Sequence, residues 1–415
     1  MTRFGIALIL ATFCGFAQAQ ATPSAAPAQT ALDPALPPDP QIVATLEALG
    51  DRSSAVLAPL KVVGPINQLC KEHYMNTRGP NGRDYTNKAV WMPERRRALF
   101  CGANHGSPHR VNDAWEYDLL SNTWALLFAP DPHNAVGVME IKEGEIPGTS
   151  EKVKFVQTQR GGPTHYGHTW WAFCYHPQMK AGLWMNVPIG SSSGAYIEKT
   201  TGSKEGIYRG PPMWAFYPAE KQWKLVLSPG PYPRIDFAKQ MEYIPDLGGA
   251  LYLSGSWNAA GAWLYDHGKN TWTQLAKPDK EAPDNESLTC YDPSRKIVIA
   301  QSHTRSTHHY DLTTHRWTKV LDPGKESADA PFGHDARSVM YFDTVSKQAL
   351  LFESKVLDTV WSYDPDAKKW TANKPAGPAC PEGGRTIGYF DEARNVLVIS
   401  RGPNTWVYRH RRAGK

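Results

Sequence analysis

The sequence lacks the short motifs that identify several common enzyme classes. It has no GxxxxGK[ST] phosphate loop, no G-x-S-x-G nucleophile elbow and no HExxH zinc motif. Cysteine is also scarce, with six residues in a chain of 415. Without Cys14, which lies in an export signal, the remaining number is odd and does not make a disulfide framework. We expect Cys174 and Cys290 to be apolar core residues on inner strands.

Long hydrophobic runs are absent except at the N-terminus. Residues 4–16 are apolar but too short to span a bilayer, and Ala17-Gln18-Ala19 follows as a small-x-small cleavage site. We predict a signal peptide at 1–19, a linker and short helix at 20–50, and one domain at 51–415. The protein is then exported, to the periplasm or beyond the cell. We expect a monomer with no membrane span.

Charge of one sign is not abundant either. The formal net charge is +5, which permits an anionic partner without demanding one. Nucleic acid is a poor candidate for an exported protein with this modest charge. Aromatic residues, glycine and proline are plentiful, with 15 Trp, 18 Tyr, 34 Gly and 34 Pro. This composition favours many short strands joined by tight turns.

The strands are organised in a repeat. An aromatic-x-Tyr-Asp cluster is followed by a Trp about seven residues after the Tyr, as in Trp115-Glu116-Tyr117-Asp118 and then Trp124. A hairpin precedes each cluster, so each unit has four strands, labelled a to d from the inside outward. Such units bury both faces only when they stack in a closed ring. The copies of the cluster begin at Trp115, Trp214, Trp263, His309, Trp361 and Trp406.

The Tyr-Asp…Trp pattern resembles kelch repeats over about residues 85–410. This resemblance implies an all-β propeller of four-stranded blades, of which six are visible. A seventh blade has room in 130–165, but we favour a long loop there because the signature is missing. The last unit lacks strand d, and residues 56–63 are similar to that strand. We therefore predict that an N-terminal strand closes the ring.

In a propeller, the loops entering strand a and those joining b to c open on one rim, where ligands usually bind. These positions hold many His, Arg and aromatic residues and few acids, chiefly Asp335 and Glu353. Such a rim attracts anions and offers stacking platforms for sugar rings, although loops are polar in general. The predicted substrate-binding residues are His109, Arg110, Arg160, Tyr166, Arg209, Arg234, Trp257, Asn258, His303, Arg305, His334 and Arg385.

Residues 160–171 form the segment with the most candidate site residues. His165 and His168 are three apart, so both reach one site only if His165 precedes the strand. Either is a candidate general acid or base, and the alternative is a histidine that satisfies backbone groups in the channel. Cys101 lies near His105 in the sequence, so a bound divalent metal such as zinc or calcium is a further hypothesis. The spacing matches no standard zinc motif, so we assign no ligand set.

The chain order of His105, His165 or His168, Tyr208 and Arg234 resembles that of propeller-type ulvan lyases and related uronate lyases. This resemblance implies β-elimination on a uronate-containing polysaccharide, with these His and Tyr residues as acid and base and an Arg neutralising the carboxylate. It also implies a zinc site. A different hypothesis is a non-catalytic module that binds an acidic glycan or a protein partner. A third is a sugar epimerase, similar to periplasmic kelch-type sialic acid epimerases.

Overall fold

The computed structural model describes residues 36–103, 111–132, 137–164, 167–186, 193–235, 239–254, 261–284 and 286–414. Residues from Leu36 onward form one compact unit. No helix in this described part is long and apolar enough to cross a membrane. The N-terminal elements are α1 (Pro40–Ala48), β1 (Ser53–Val56), β2 (Lys61–Val63), α2 (Gln68–Glu72) and α3 (Met75–Arg78).

Six antiparallel four-stranded sheets follow and confirm the predicted blades. Blade 1 comprises β3 (Val90–Met92), β4 (Arg97–Cys101), β5 (Ala114–Asp118) and β6 (Thr123–Phe128). A hairpin of β7 (Met139–Glu145) and β8 (Lys152–Thr158) comes next. Blade 2 comprises β9 (Phe173–His176), β10 (Ala181–Met185), β11 (Met213–Tyr217) and β12 (Gln222–Leu225), with α4 (Ser193–Thr201) between β10 and β11.

The other four blades are more regular. Blade 3 comprises β13 (Lys239–Ile244), β14 (Gly249–Ser254), β15 (Ala262–Asp266) and β16 (Thr271–Ala276). Blade 4 comprises β17 (Leu288–Asp292), β18 (Ile297–Gln301), β19 (Thr307–Asp311) and β20 (Arg316–Leu321). Blade 5 comprises β21 (Ser338–Asp343), β22 (Gln348–Glu353), β23 (Val360–Asp364) and β24 (Lys369–Asn373). Blade 6 comprises β25 (Thr386–Asp391), β26 (Val396–Arg401) and β27 (Asn404–Arg409), completed by β1.

An N-terminal strand closes the ring, as predicted, but the residues that do so are shifted. The closing strand is β1, which pairs with β27, whereas residues 56–63 were expected in that place. Pro59 follows β1, and proline cannot donate to a ladder, so the pairing ends there. The chain then crosses to blade 1, where β2 adds to β6 as a parallel fifth strand. The N-terminal segment thus ties the last blade to the first.

The repeat residues have definite structural roles. In four of the six clusters an Asp follows the Tyr and caps the turn from strand c to strand d, as where Asp311 Oδ1 accepts from the Thr313 and Thr314 N–H groups at 2.8 and 2.7 Å. The Tyr ring packs on the Trp of strand d, with centroids 5.0 Å apart for Tyr363 and Trp370. The Trp370 indole donates to Thr307 of the preceding blade at 2.9 Å. The repeat therefore joins blades to one another as well as strands.

The insertion between blades 1 and 2 is not a seventh blade. The described part of the predicted loop at 130–165 contains only the β7–β8 hairpin, whose strands pair over seven residue positions. All five described cysteines are buried and unbridged. Cys174 and Cys290 lie on inner strands β9 and β17, as expected.

The inner strands of the six blades surround a central channel and run in the same direction. Parallel bridges join neighbouring inner segments, as between Lys88 and Gly388 and between Trp171 and Gln240. All inner strands therefore begin at one end of the channel and finish at the other. We call the end where they begin the histidine mouth and the end where they finish the aromatic mouth.

Candidate functional site

The histidine mouth holds a cavity of about 400 Å³. Its walls come from the loop before β3 and from the segments that lead into β21 and β25. The ionisable side chains of the lining are those of Asp84, Tyr85, His334, Arg337 and Arg385. Phenol, imidazole and guanidinium groups therefore meet at one opening.

Tyr85 is held over His168 in an unusual backbone conformation. Its φ is +58°, in the left-handed region that bulky residues rarely adopt. Its ring stacks on the His168 imidazole with centroids 4.4 Å apart, and Trp170 meets the same imidazole edge-on at 4.8 Å. Strain of this kind persists where the surroundings enforce it, often at functional sites. The His168 side chain is 6% exposed, so Tyr85 is the more accessible member of the pair.

His334 lies next to Tyr85, with ring centroids 5.6 Å apart, and both of its nitrogen atoms are engaged. Nδ1 accepts from the Ala336 N–H at 3.0 Å, so the proton belongs on Nε2, which donates to Glu286 Oε2 at 2.9 Å. The hydrogen bond from His334 lowers the pKa of the Glu286 carboxyl. His334 is thus a fixed element that orients its neighbours.

Asp335 lies behind His334 and is fully buried. Burial, and secondarily the nearby Glu286 carboxylate, raises the pKa of Asp335 well above its ordinary value. Its Oδ1 is 3.4 Å from Nδ1 of His334, which already accepts a hydrogen bond. A neutral carboxyl suits this position because it removes a second negative charge from beside Glu286. Buried acids with strongly raised pKa values are typical of functional sites.

His303 forms the far side of the same group. Its ring centroid is 5.9 Å from that of His334, so His334 lies between Tyr85 and His303. Its Nδ1 is 3.6 Å from Asp284 Oδ2, and the carboxylate is itself held by a hydrogen bond from Thr304 at 3.1 Å. The 3.6 Å separation is too long for a hydrogen bond, and His303 Nδ1 has no hydrogen-bond partner among the described residues. A partly exposed histidine with a free ring nitrogen near a carboxylate is a candidate proton acceptor.

The cations of this mouth differ in how they are paired. Arg385 forms an ion pair with Asp84. Arg337 is exposed and lies over the Phe332 ring at 5.7 Å, with no carboxylate partner among the described residues. It also lines a second cavity of about 180 Å³ together with Lys355. Arg305 lines that cavity too, and its guanidinium donates to the Lys325 and Ala330 carbonyls. The two adjoining cavities therefore share Arg337.

This rim is more mixed in charge than the sequence analysis expected. Asp84, Asp284 and Glu286 contribute carboxylates beside the predicted cations. Sequence reasoning missed these acids, together with Tyr85 and Arg337. A signal was available for Tyr85, since it precedes the inner strand of blade 1 and corresponds to the strand entries examined in other blades.

Other predicted residues lie away from this cavity's lining. The Tyr208 hydroxyl donates to the Val226 carbonyl at 3.2 Å, and burial raises its pKa. Arg160 packs on Phe128 and binds Asp131 at 3.0 Å, which anchors the insertion to blade 1. Arg209 and Arg234 are exposed on the chain segments around blade 2. Their predicted roles remain predictions.

Several predicted residues lie outside the described part of the chain. They are His105, His109, Arg110, His165, Tyr166, Trp257 and Asn258. Within the described part, no group of three or more His, Cys, Asp or Glu side chains is arranged to hold a metal ion. Cys101 is buried there, and burial raises the pKa of its thiol well above the ordinary value. The described residues therefore do not form the zinc site that the resemblance implies.

Comparisons with known proteins do not show which family the chain belongs to. No protein-family profile matches the sequence, and no curated protein matches it. Among solved structures, a gluconolactonase from Xanthomonas campestris aligns with a TM-score of 0.44 and 10% identity, covering 79% of this chain and 87% of that one. An auxiliary nutrient-binding protein from Bacteroides thetaiotaomicron aligns with a TM-score of 0.45 and 12% identity, covering 79% of this chain and 69% of that one.

Proposed function

We propose that this protein is an exported, carbohydrate-active propeller that cleaves a uronate-containing polysaccharide by β-elimination at the histidine mouth. The observation that carries the proposal is that the Tyr85 and His303 rings both lie within 6 Å of His334, near Arg337, which has no carboxylate partner among the described residues. Tyr85 and Arg337 line the cavity and can supply an acid and a cation, and His303 can supply a base beside them. Tyr85 takes the place of Tyr208 in this proposal.

The chemistry requires one proton to leave and another to arrive. His303, whose Nδ1 is 3.6 Å from Asp284 Oδ2, accepts the proton from the carbon next to the uronate carboxylate. The bond between the β-carbon and the leaving oxygen breaks, a carbon–carbon double bond forms, and Tyr85 protonates that oxygen. Arg337 lies where it can neutralise the carboxylate, which stabilises the negative charge that develops during proton removal.

His168 and His334 act as positioning residues in this scheme. His168 supports the Tyr85 ring from below, and His334 separates the acid from the base with both nitrogen atoms already bonded. Burial, together with the Glu286 and Asp335 carboxyls, raises the pKa of Tyr85. The phenol therefore keeps its proton at neutral pH, as a proton donor must.

A second candidate function is a non-catalytic module for an acidic glycan. One observation favours it: both nitrogen atoms of His334 are hydrogen-bonded, so neither is left for proton exchange. A site with fixed hydrogen-bond partners can recognise a ligand without transforming it. The two functions differ in whether any polymer is cleaved.

The test is an ultraviolet assay for unsaturated uronate. Purified mature protein is incubated with a panel of acidic polysaccharides, with and without a chelator. We expect product from at least one polymer, and a loss of roughly 10²- to 10⁴-fold in rate for Tyr85→Phe and for His303→Asn. Tyr217→Phe and His267→Asn, on the outer part of blades 2 and 3, serve as matched controls that keep the wild-type rate.

Two results would overturn the lyase proposal. One is the absence of product from every polymer while the protein is retained on an acidic-glycan affinity gel, which favours the binding module. The other is product formation that survives both Tyr85→Phe and His303→Asn, which moves catalysis to other residues.

A further inference from the structure

The aromatic mouth carries one aromatic side chain from each of the six inner strands. Each stands two residues before the first residue of the turn into strand b, so the six occupy equivalent positions around the channel. They are Trp91, Tyr175, Tyr243, Tyr291, Phe342 and Phe390. All six line one cavity of about 430 Å³, whose wall is mainly apolar. We call this set the aromatic ring.

The floor of the cavity is a closed polar network. Lys88 pairs with Glu242 at 2.8 Å, and the same Glu242 oxygen accepts from Thr289 at 2.7 Å and from the Trp171 indole at 3.2 Å. Tyr341 reaches across to blades 6 and 1, where its hydroxyl contacts the Gly388 and Ala89 carbonyls. These polar atoms already have partners, so the floor offers few hydrogen bonds to a ligand.

The rings themselves are backed by carboxylates. The Tyr175 hydroxyl donates to Glu94, and the Tyr291 hydroxyl donates to Asp246. Burial, and then the hydrogen bond to the carboxylate, raises the pKa of both phenols, so both remain neutral donors. A phenol that donates to a carboxylate has a more electron-rich ring face, which is the face that attracts cations.

The charge of the lining also favours a cation. The lining contains two carboxylates, Glu242 and Glu392, and one ammonium, Lys88, which is already paired with Glu242. Trp91, Tyr243 and Tyr291 are partly exposed, so their faces are accessible from the opening. A polyhydroxylated ligand would find few hydrogen-bond partners in this mainly apolar wall, whereas a quaternary ammonium ion needs none.

We propose that the aromatic mouth is a binding site for an organic ammonium ion, with quaternary ions preferred. The aromatic ring surrounds the alkyl groups, and the carboxylates behind and beside it provide the negative potential. This site lies at the opposite end of the channel from the histidine mouth and does not depend on the lyase proposal.

The test compares choline with 3,3-dimethylbutan-1-ol, in which a carbon atom replaces the quaternary nitrogen. Titration calorimetry on the mature protein measures both affinities. We expect choline to bind roughly fivefold or more tightly than its neutral analogue, the preference that a cation–π contribution near 1 kcal/mol produces. Trp91→Leu and, separately, Tyr243→Leu should each weaken choline binding by roughly fivefold or more.

Controls separate this site from a folding defect or a non-specific apolar surface. Tyr217→Leu removes an aromatic side chain from strand c of blade 2 and should leave choline affinity unchanged. Circular dichroism checks that each variant is folded, and Tyr243→Leu replaces Trp91→Leu if the latter does not fold. Equal affinity for choline and the alcohol, or choline binding that survives both substitutions, would overturn the proposal. So would the absence of choline binding at millimolar concentration.

Discussion

The two mouths of the channel are built from the same six strands, yet they differ in chemistry. The histidine mouth lies where the strands begin, and its side chains come from irregular loops such as the one carrying Tyr85. The aromatic mouth lies where the strands end, and its ring repeats one position of the blade. A ring of equivalent positions yields near-uniform chemistry, whereas loops can place a different residue at each blade.

The difference extends to electrostatics. At the histidine mouth, burial raises the pKa of the Asp335 carboxyl, and the negative charge of the nearby Glu286 raises it further. At the aromatic mouth, the partly buried Glu242 is matched by Lys88 and two further donors. One end therefore keeps groups that are poised for proton transfer, and the other keeps a closed floor. The first end suits the proposed proton transfer, and the second suits the proposed cation binding.

The largest expected effect comes from breaking the floor between the mouths. Lys88→Met leaves Glu242, whose side chain is only 13% exposed, without its cation, which should lower the free energy of unfolding by up to about 3–5 kcal/mol. Urea unfolding of the variant measures this loss. The matched control is Lys88→Met combined with Glu242→Gln, which should cost less than the single change. An unchanged midpoint for Lys88→Met would mean that the pair contributes nothing.

The next effect tests the unpaired cation of the histidine mouth. Arg337→Ala should raise the KM for an acidic polymer, or its Kd if no polymer is cleaved, by roughly 10- to 100-fold, because a hydrogen bond to a charged group is lost. Lys224→Ala, an exposed lysine of blade 2 paired with Glu220, is the matched control. Unchanged affinity in Arg337→Ala would remove anion recognition from this mouth.

A pH-dependent effect tests the buried acid of the histidine mouth, Asp335. Since the pKa of Asp335 is raised on folding, its contribution favours the native state below the unfolded pKa of about 3.9 and is lost as pH rises towards the folded pKa. Asp335→Asn should therefore be more stable than wild type at neutral pH, and equal to it near pH 3. Each pH unit inside that window contributes about 1.4 kcal/mol. Thermal unfolding at several pH values measures the gap; a constant difference would contradict a raised pKa.

The smallest effect concerns the exposed ion pair of the histidine mouth. Arg385→Ala should lower the free energy of unfolding by less than about 1 kcal/mol, because its pair with Asp84 is well solvated. The loss should shrink further at high salt, where exposed charges are screened. Denaturant unfolding at low and high salt provides the measurement. A loss as large as that of Lys88→Met would show that this pair is structural.

Much of the fold could be predicted because the repeat residues each carry a local physical task. Asp311 caps a turn, Tyr363 packs on Trp370, and Trp370 bonds to the neighbouring blade. Such tasks recur at fixed spacing, so they are visible along the chain. The closing strand was displaced in the prediction because residues 53–56 and 61–63 both read as short strands. Only their pairing partners distinguish them.

The candidate site was harder to predict because its members come from separate blades. His303 and His334 were identified from their loops, and the structure places their rings 5.9 Å apart. Tyr85 and Glu286 were missed, although both precede inner strands. The aromatic ring was not predicted either, because ligands were expected only at the other rim. Its signal is an aromatic residue two positions before a turn, repeated in all six blades.

The sequence by itself determined the blade repeat, the closed ring and the rim on which His303 and His334 stand. These follow from local periodicity and from the need of every four-stranded unit to bury both faces. The three-dimensional arrangement of the blades was needed to show which carboxylates lie next to those histidines and which side chains form the polar floor of the channel. Glu286 meets His334, and Lys88 meets Glu242, across blade boundaries. The blade order follows from the repeat, but the local pattern carries no information about which side chains of different blades meet.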